Sequence, residues 1–223
     1  MESSFKTTEA VDDTKISVWY DNNTQSVTKN SATQSTSTNK PKFIENVFGA
    51  IPAIRFDSTA SNYLSYNGAF LANVNYTIFV VEQRRSSKLH NYFMSGSNKH
   101  PNTNLVLGYR SSSVITQVHY YNDMDFTIAN YSSPIPIIHT FWLSKTAGKK
   151  YWLQGGNAAD KSNSSQTTAL TSYNGASLGM SPNSNYYNGD IAEIIVFTRD
   201  LKDEERQAIE GYLSKKYNIA ITG

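Results

Sequence analysis

Cysteine is absent from the chain, which excludes a disulfide scaffold, a thiolate zinc site and a cysteine nucleophile. Charge is sparse: Asp, Glu, Lys and Arg make up 17% of the residues and the formal net charge is +2. A neutral polar surface of Ser, Thr and Asn therefore replaces the usual charged one, a composition that favours strands, turns and loops over long helices. The Lys and Arg residues are scattered, without the clustered stripe that phosphate neutralisation needs, so nucleic acid is not expected as a partner. No apolar run approaches the ~18 residues of a membrane span. The start, Met1-Glu2-Ser3-Ser4-Phe5-Lys6, has no apolar core of a secretion signal. Phosphate-binding glycine loops are missing too: Gly148-Lys149-Lys150 has no upstream glycine at the needed spacing. Neither a Gly-x-Ser-x-Gly elbow nor a His-Glu-x-x-His helix occurs. The Asn-x-Ser/Thr triplets at Asn22, Asn75, Asn130 and Asn163 are what chance supplies in so Asn-, Ser- and Thr-rich a chain.

What is present is a β pattern. The 223 residues, 39% of them hydrophobic, can bury a sizeable core. Residues 1–15 are polar and aperiodic and read as a tail; strand-like alternation begins at Ile16-Ser17-Val18-Trp19-Tyr20. Asp21 to Lys42 reads as loop, with short strands after it around Ala53-Ile54-Arg55-Phe56 and Tyr63-Leu64-Ser65-Tyr66. The middle carries the strongest segments: Tyr76–Glu82, Asn91–Ser95, Asn104–Tyr109, Val114–Tyr121, Ile135–Leu143 and Lys150–Gln154, separated by Gly, Asn, Ser or Pro. Near-continuous apolar runs such as Thr77-Ile78-Phe79-Val80-Val81 point to strands covered on both faces, hence two stacked antiparallel sheets. Residues 155–188 read as loops with short strands around Thr167–Leu170 and Ala176–Gly179. Gly189–Phe197 reads as a buried strand, and Lys202–Lys216 as the one convincing helix, with Ala208, Ile209, Tyr212, Leu213 and Tyr217 on its apolar stripe. Asp203, Glu204 and Glu205 in its first turn and Lys215 and Lys216 in its last suit the macrodipole. No internal repeat or linker appears, so one domain over 16–223 is the simplest organisation.

Trp19-Tyr20-Asp21, Ala32-Thr33-Gln34-Ser35-Thr36, Lys40-Pro41-Lys42-Phe43, Pro52–Asp57 and Tyr63-Leu64, followed later by Gly189–Phe197, Leu201–Arg206 and Glu210–Leu213, together resemble the concanavalin A-like lectin/glucanase superfamily in its laminin-G-like jelly-roll branch. The likeness extends over nearly the whole chain after about residue 16 and is most specific in the closing strand and helix. It implies an all-β, antiparallel jelly-roll sandwich of two curved sheets with one C-terminal helix. The implied role is that of a carbohydrate- or protein-binding module in adhesins, extracellular enzymes and phage or viral surface proteins. There is one departure. Members of the branch open with a further apolar strand upstream of the region matched by Trp19, where this chain is polar. Either the chain is an excised piece, or a vacant sheet edge is filled by another segment or subunit, which predicts self-association or assembly.

Catalysis finds little support. Glycoside hydrolysis needs two carboxyl groups ~5 to 9.5 Å apart across the scissile bond. The related glucanases carry Glu-x-Asp-x-x-Glu on one strand; Asp190-Ile191-Ala192-Glu193 lacks the first Glu, and a spacing of three puts its acids on opposite strand faces. The plainer expectation is that Asp190 caps or turns the strand and Glu193 pairs with a cation. His119 with Asp123 and Asp125 forms a candidate calcium site, although a hairpin turn at Asn122-Asp123 explains the same residues; no other cofactor is expected. The aromatic content, 13% with 15 Tyr, is more informative, because a ring with a polar tip among amides and carboxylates can stack on a sugar while its neighbours satisfy the hydroxyls. Tyr109, Tyr120, Tyr121, Tyr131, Trp142, Tyr151, Trp152, Tyr173, Tyr186 and Tyr187 fall in the middle and late chain, with Trp142 and Trp152 the first expected in the core. The candidate sugar contacts are Tyr186, Tyr187, Asn183 and Asn185 in one loop, with Tyr121 and Tyr109. The leading expectation is a non-catalytic recognition or assembly module on a virion or other extracellular surface, binding glycan or docking to a structural protein. The alternatives are a glycoside hydrolase or lyase of the same fold and a purely structural virion subunit.

Overall fold

The computed structural model describes residues 7, 10–96, 98–129 and 134–222. Its strands in chain order are β1 (Thr14–Lys15), β2 (Val18–Trp19), β3 (Ala32–Thr33), β4 (Lys42–Phe48), β5 (Ile51–Phe56), β6 (Leu64–Tyr66), β7 (Tyr76–Arg84) and β8 (Asn91–Gly96). They continue as β9 (Val106–Ser111), β10 (Val114–Val118), β11 (Met124–Thr127), β12 (Ile137–Ser144), β13 (Gly148–Leu153), β14 (Lys161–Asn163), β15 (Ala176–Leu178) and β16 (Gly189–Phe197), before helix α1 (Asp203–Tyr217). Two antiparallel eight-stranded sheets result, the first in the order β1-β4-β5-β16-β7-β12-β13-β14 and the second β11-β10-β9-β8-β15-β6-β3-β2. This is the expected all-β sandwich with a single C-terminal helix.

β7 shows why the apolar runs are unbroken. Its Tyr76, Ile78 and Val80 pack between the sheets with Phe93, Leu107 and Phe141. The alternate Phe79 and Val81 face the opposite way, under Leu213 and Tyr217 of α1. The first sheet is thus covered by the second sheet on one face and by the helix on the other. The helix sits differently from the expected stripe: Ala208 and Tyr212 are exposed, whereas Arg206 and Glu210 are buried. Polar partners explain the rotation. The Arg206 guanidinium lies 4.1 Å from the Trp152 ring centroid and pairs with Glu210, which accepts a 2.8 Å hydrogen bond from Thr140 Oγ1. Asn218, in the left-handed region at φ 53°, ends the helix.

Other expectations need correction. The polar start contributes structure: Thr14 and Lys15 pair with Phe43 and Lys42 of β4, and Thr7 bridges to Trp19. The stretch read as a loop before Lys42 contains β3, and Thr167–Leu170 forms no strand. The expected strand Val114–Tyr121 stops at Val118, because Tyr120 and Tyr121 take left-handed φ values of 52° and 83°. Packing requires glycine at Gly108 (φ 140°), where a Cβ would stand 2.7 Å from the Tyr92 Cα and β8 shifts register against β9.

Candidate functional site

Among the described residues no α-helix covers the outer face of the second sheet, and strand alternation decides what that face carries. Leu107 and Tyr109 of β9, Ile115 of β10 and Met124 of β11 point into the core. Arg110, Thr116 and Asp125, between them in sequence, therefore point outward. Arg110 Nη2 lies 2.5 Å from Asp123 Oδ2, and its Nε lies 3.1 Å from Asp125 Oδ1. Thr116 Oγ1 ties the group together, donating to Asp125 Oδ1 at 2.6 Å and accepting from Arg110 Nη2 at 3.2 Å. Arg110 Nε and Asp123 Oδ1 are themselves buried and have no aligned hydrogen-bond partner among the described residues. The pairing with the two aspartates holds the Arg110 pKa above its ordinary value against burial, the largest influence, which lowers it. Beside this cluster Tyr92, Val106 and Val118 form a small apolar floor, and the Tyr92 hydroxyl is 2.9 Å from Nδ1 of exposed His90.

The loop between β10 and β11 completes the patch. Tyr121 is 76% exposed, stands two residues from Asp123, and packs edge-on against Tyr120 with ring centroids 5.1 Å apart. Two successive left-handed residues are costly for tyrosine, and the loop is pinned from three sides. Buried Lys149 donates to the Asn122 carbonyl, Gln166 Nε2 donates to the Asp123 carbonyl at 2.6 Å, and Asn122 Nδ2 donates to Asn102 Oδ1 at 2.6 Å. Burial pushes the Lys149 ammonium down to about 7.

Of the sequence candidates, Asp123 and Asp125 are brought together around Arg110 and Thr116, two residues the sequence reading did not single out, and Tyr121 lies two residues before Asp123 on the same loop. Strand alternation around Leu107 and Tyr109 was the available signal, masked because Tyr109 itself was taken as a surface ring. Tyr109 and Tyr187 are corrected: both are fully buried, and their hydroxyls donate to the Glu82 carboxylate in the core. His139 Nε2 lies 2.9 Å from that carboxylate and its Nδ1 2.8 Å from the Tyr151 hydroxyl. Burial, with Glu82 adding to it, lifts both Tyr109 and Tyr187 well above the ordinary tyrosine range. A run of two tyrosines must split between faces, and the inward one here finds a buried acceptor. Tyr186 is half-buried, its ring 6.3 Å from that of Tyr63, while Asn183 is exposed and Asn185 half-buried. Trp142, Tyr151, Trp152 and Tyr173 are buried; Asn130 and Tyr131 lie outside the described residues.

The calcium set is not assembled. His119 points inward, 2.8 Å from the Tyr76 hydroxyl and 2.9 Å from the Thr168 carbonyl, whereas the two aspartates face outward around Arg110. Among the described residues no three His, Asp or Glu side chains converge as a metal site. The acids of β16 are also committed. Asp190 receives Arg55 in a two-point pair at 2.7 and 3.0 Å and Gln83 at 2.9 Å, in place of the expected cap. Glu193 pairs with Lys216 and accepts from the Tyr217 hydroxyl, each at 2.8 Å.

No protein-family model matches the chain, and no curated protein matches it in sequence. Solved structures do resemble it in fold. The Trypanosoma rangeli sialidase carrying 2,3-difluorosialic acid superposes with a TM-score of 0.60 at 11% identity, over 90% of this chain and 31% of that one. A botulinum neurotoxin type C structure, from work on cell entry through two ganglioside molecules, gives 0.55 at 13%, over 89% and 51%. The binding domain of botulinum neurotoxin serotype D/C gives 0.54 at 15%, over 83% and 50%. The class these likenesses define is an all-β sandwich, and this chain spans about a third to a half of each of these neighbours. No described helix is long and apolar enough to cross a membrane.

Proposed function

We propose that the chain is a non-catalytic carbohydrate-recognition module, of the laminin-G-like kind its sequence resembles, and that it reads sugar hydroxyls with the outer face of the second sheet at β9–β11. The observation that carries this reading is the exposed Tyr121 ring on a pinned loop that leads, two residues on, into the outward-facing Arg110–Asp123–Asp125 cluster of charged hydrogen-bonding groups. A ring of this kind covers the C–H face of a pyranose while carboxylates and guanidinium bind adjacent hydroxyls. The toxin and sialidase neighbours are described with gangliosides and sialic acid, which are acidic; here one guanidinium faces two carboxylates, so the patch favours neutral sugars. Arg110 already supplies the positive charge between the aspartates, so the reading requires no calcium. Display outside the cell or on a virion surface fits the neutral polar exterior and the company of surface-binding neighbours.

A glycan array followed by calorimetry tests the proposal. Neutral glycans bind, chelator leaves the affinity unchanged, and Tyr121→Ala weakens binding by about 1–3 kcal/mol, the range of a lost stacking anchor. Arg110→Gln weakens it as well. Binding untouched by both substitutions would place the site elsewhere. Release of reducing sugar that Glu193→Gln abolishes would replace the reading with a hydrolase.

A further inference from the structure

The first sheet is interrupted. β16 pairs with β5 only through Gly189, Asp190 and Ile191, but with β7 along its whole length to Phe197. Beyond Ile191 the two strands part, and among the described residues no strand pairs with Glu193–Phe197 on the β5 side. A cleft of about 770 Å³ opens there. Its walls come from both faces of the sheet: Tyr66, Met94 and Leu178 from the core side, and Tyr212 and Lys216 from the helix side. A cleft that passes through the plane of a sheet and runs along an unpaired strand has the shape of a missing strand.

We infer that this slot receives an extended, uncharged peptide segment from a partner polypeptide, added as a strand against Glu193–Phe197. Main-chain demand selects a strand, because among the described residues no strand bonds the β5-facing amides and carbonyls of Glu193–Phe197. Side-chain pattern follows from β16 itself: Ile194 and Val196 pack toward the core, while Ile195 and Phe197 pack toward the helix. The incoming segment accordingly alternates its side chains between the same two layers, with apolar groups at the core positions. The charged groups on the walls are already engaged: Glu193 and Lys216 pair at 2.8 Å, and the Asp21 carboxylate accepts from the Asn23 and Asn30 backbone amides. A second folded copy does not fit, because the segment Tyr20–Asn30 and Ile51 of β5 flank the opening and would collide with any strand that brought its own sheet along. The slot lies in the other sheet from the sugar patch, so the two proposals stand or fall separately.

The test uses a synthetic peptide of about seven residues alternating valine and threonine, a typical strand length, and a copy N-methylated at alternate amides. The unmethylated peptide binds, and the alternate amides of Glu193–Phe197 not bonded to β7 slow their hydrogen exchange at least about tenfold. The N-methylated copy, with the same side chains, binds at least about tenfold more weakly. Val196→Lys lowers affinity for the peptide; should that variant fail to fold, the comparison of the two peptides on the unaltered chain decides. Equal binding of the two peptides, protection confined to other strands, or a dimer in light scattering that protects these amides without peptide would each overturn the inference.

Discussion

Tyr121 and Tyr187 show how little residue type alone says about role. Both were sequence candidates for sugar contact, yet one ring is 76% exposed and the other 0%. The Tyr187 hydroxyl serves the buried Glu82 carboxylate alongside Tyr109 and His139, in a core where an acceptor without donors is expensive. Tyr187→Phe should therefore cost about 1–3 kcal/mol of stability, the penalty for stripping a donor from a buried charged group, and leave glycan affinity unchanged. Tyr121→Ser should do the reverse, altering stability by no more than about 0.5 kcal/mol, as exposed positions do, while weakening binding by about 1–3 kcal/mol. Denaturant titration beside calorimetry on the two variants checks the contrast; a binding loss in Tyr187→Phe at full stability would return that residue to the site.

Among the elements, the β10–β11 hairpin depends on a neighbour in the other sheet, because Lys149 of β13 reaches across to the carbonyls of Gln117 and Asn122. Its pKa falls from the ordinary 10.5 to about 7 through burial, only partly offset by Asp123. Across that window the unfolded chain holds a proton that the folded chain lacks, so this group makes stability rise with pH; below pH 7 the burial penalty is fully present. The stability of the unaltered protein relative to Lys149→Met should climb between pH 7 and 9 by up to about 1.4 kcal/mol per unit. Parallel urea-unfolding curves for the two proteins would show that Lys149 does not titrate there. The hairpin also marks the limit of what the sequence discloses. Strands with continuous apolar runs, such as β7, β12 and β16, and the helix were legible because burial on both faces leaves an unmistakable pattern. Short pieces at or near the sheet edges such as β1, β3 and β14 were not, since two or three residues acquire strand geometry only from the strands beside them. The buried stripe of α1 was misread because Arg206 and Glu210 are buried as a pair, which periodicity of apolar residues cannot register. Arg110 escaped notice for a related reason: its partners Asp123 and Asp125 lie in the β10–β11 loop and on β11, beyond the intervening strand β10.

For the whole molecule, the two sheets divide the work. Among the described residues the first lies between the second sheet and α1 except at the slot beside β16, whereas no α-helix covers the outer face of the second, where the proposed sugar patch lies. A formal charge of +2 spread over 223 residues creates no long-range field strong enough to gather an acidic partner. At the patch itself one guanidinium against two carboxylates leaves a local excess of negative charge. Recognition must then come from short-range hydrogen bonds and ring stacking, which salt screens little because their range is below the Debye length. Affinity for a neutral glycan should accordingly change by less than about twofold between about 0.05 and 0.5 M sodium chloride, a range over which the Debye length shrinks from about 14 to about 4 Å. Acidic glycans should bind more weakly than their neutral counterparts at every salt concentration, and the gap should narrow as salt screens the two aspartates. Asp125→Asn, which removes one of the repelling charges, should narrow that gap at low salt while keeping the neutral glycan within reach of the amide. Calorimetry of one neutral and one sialylated ligand across the salt series reads all three effects. A steep salt dependence for the neutral ligand, or a preference for the acidic one that Asp125→Asn leaves unchanged, would show that charge elsewhere on the surface governs binding.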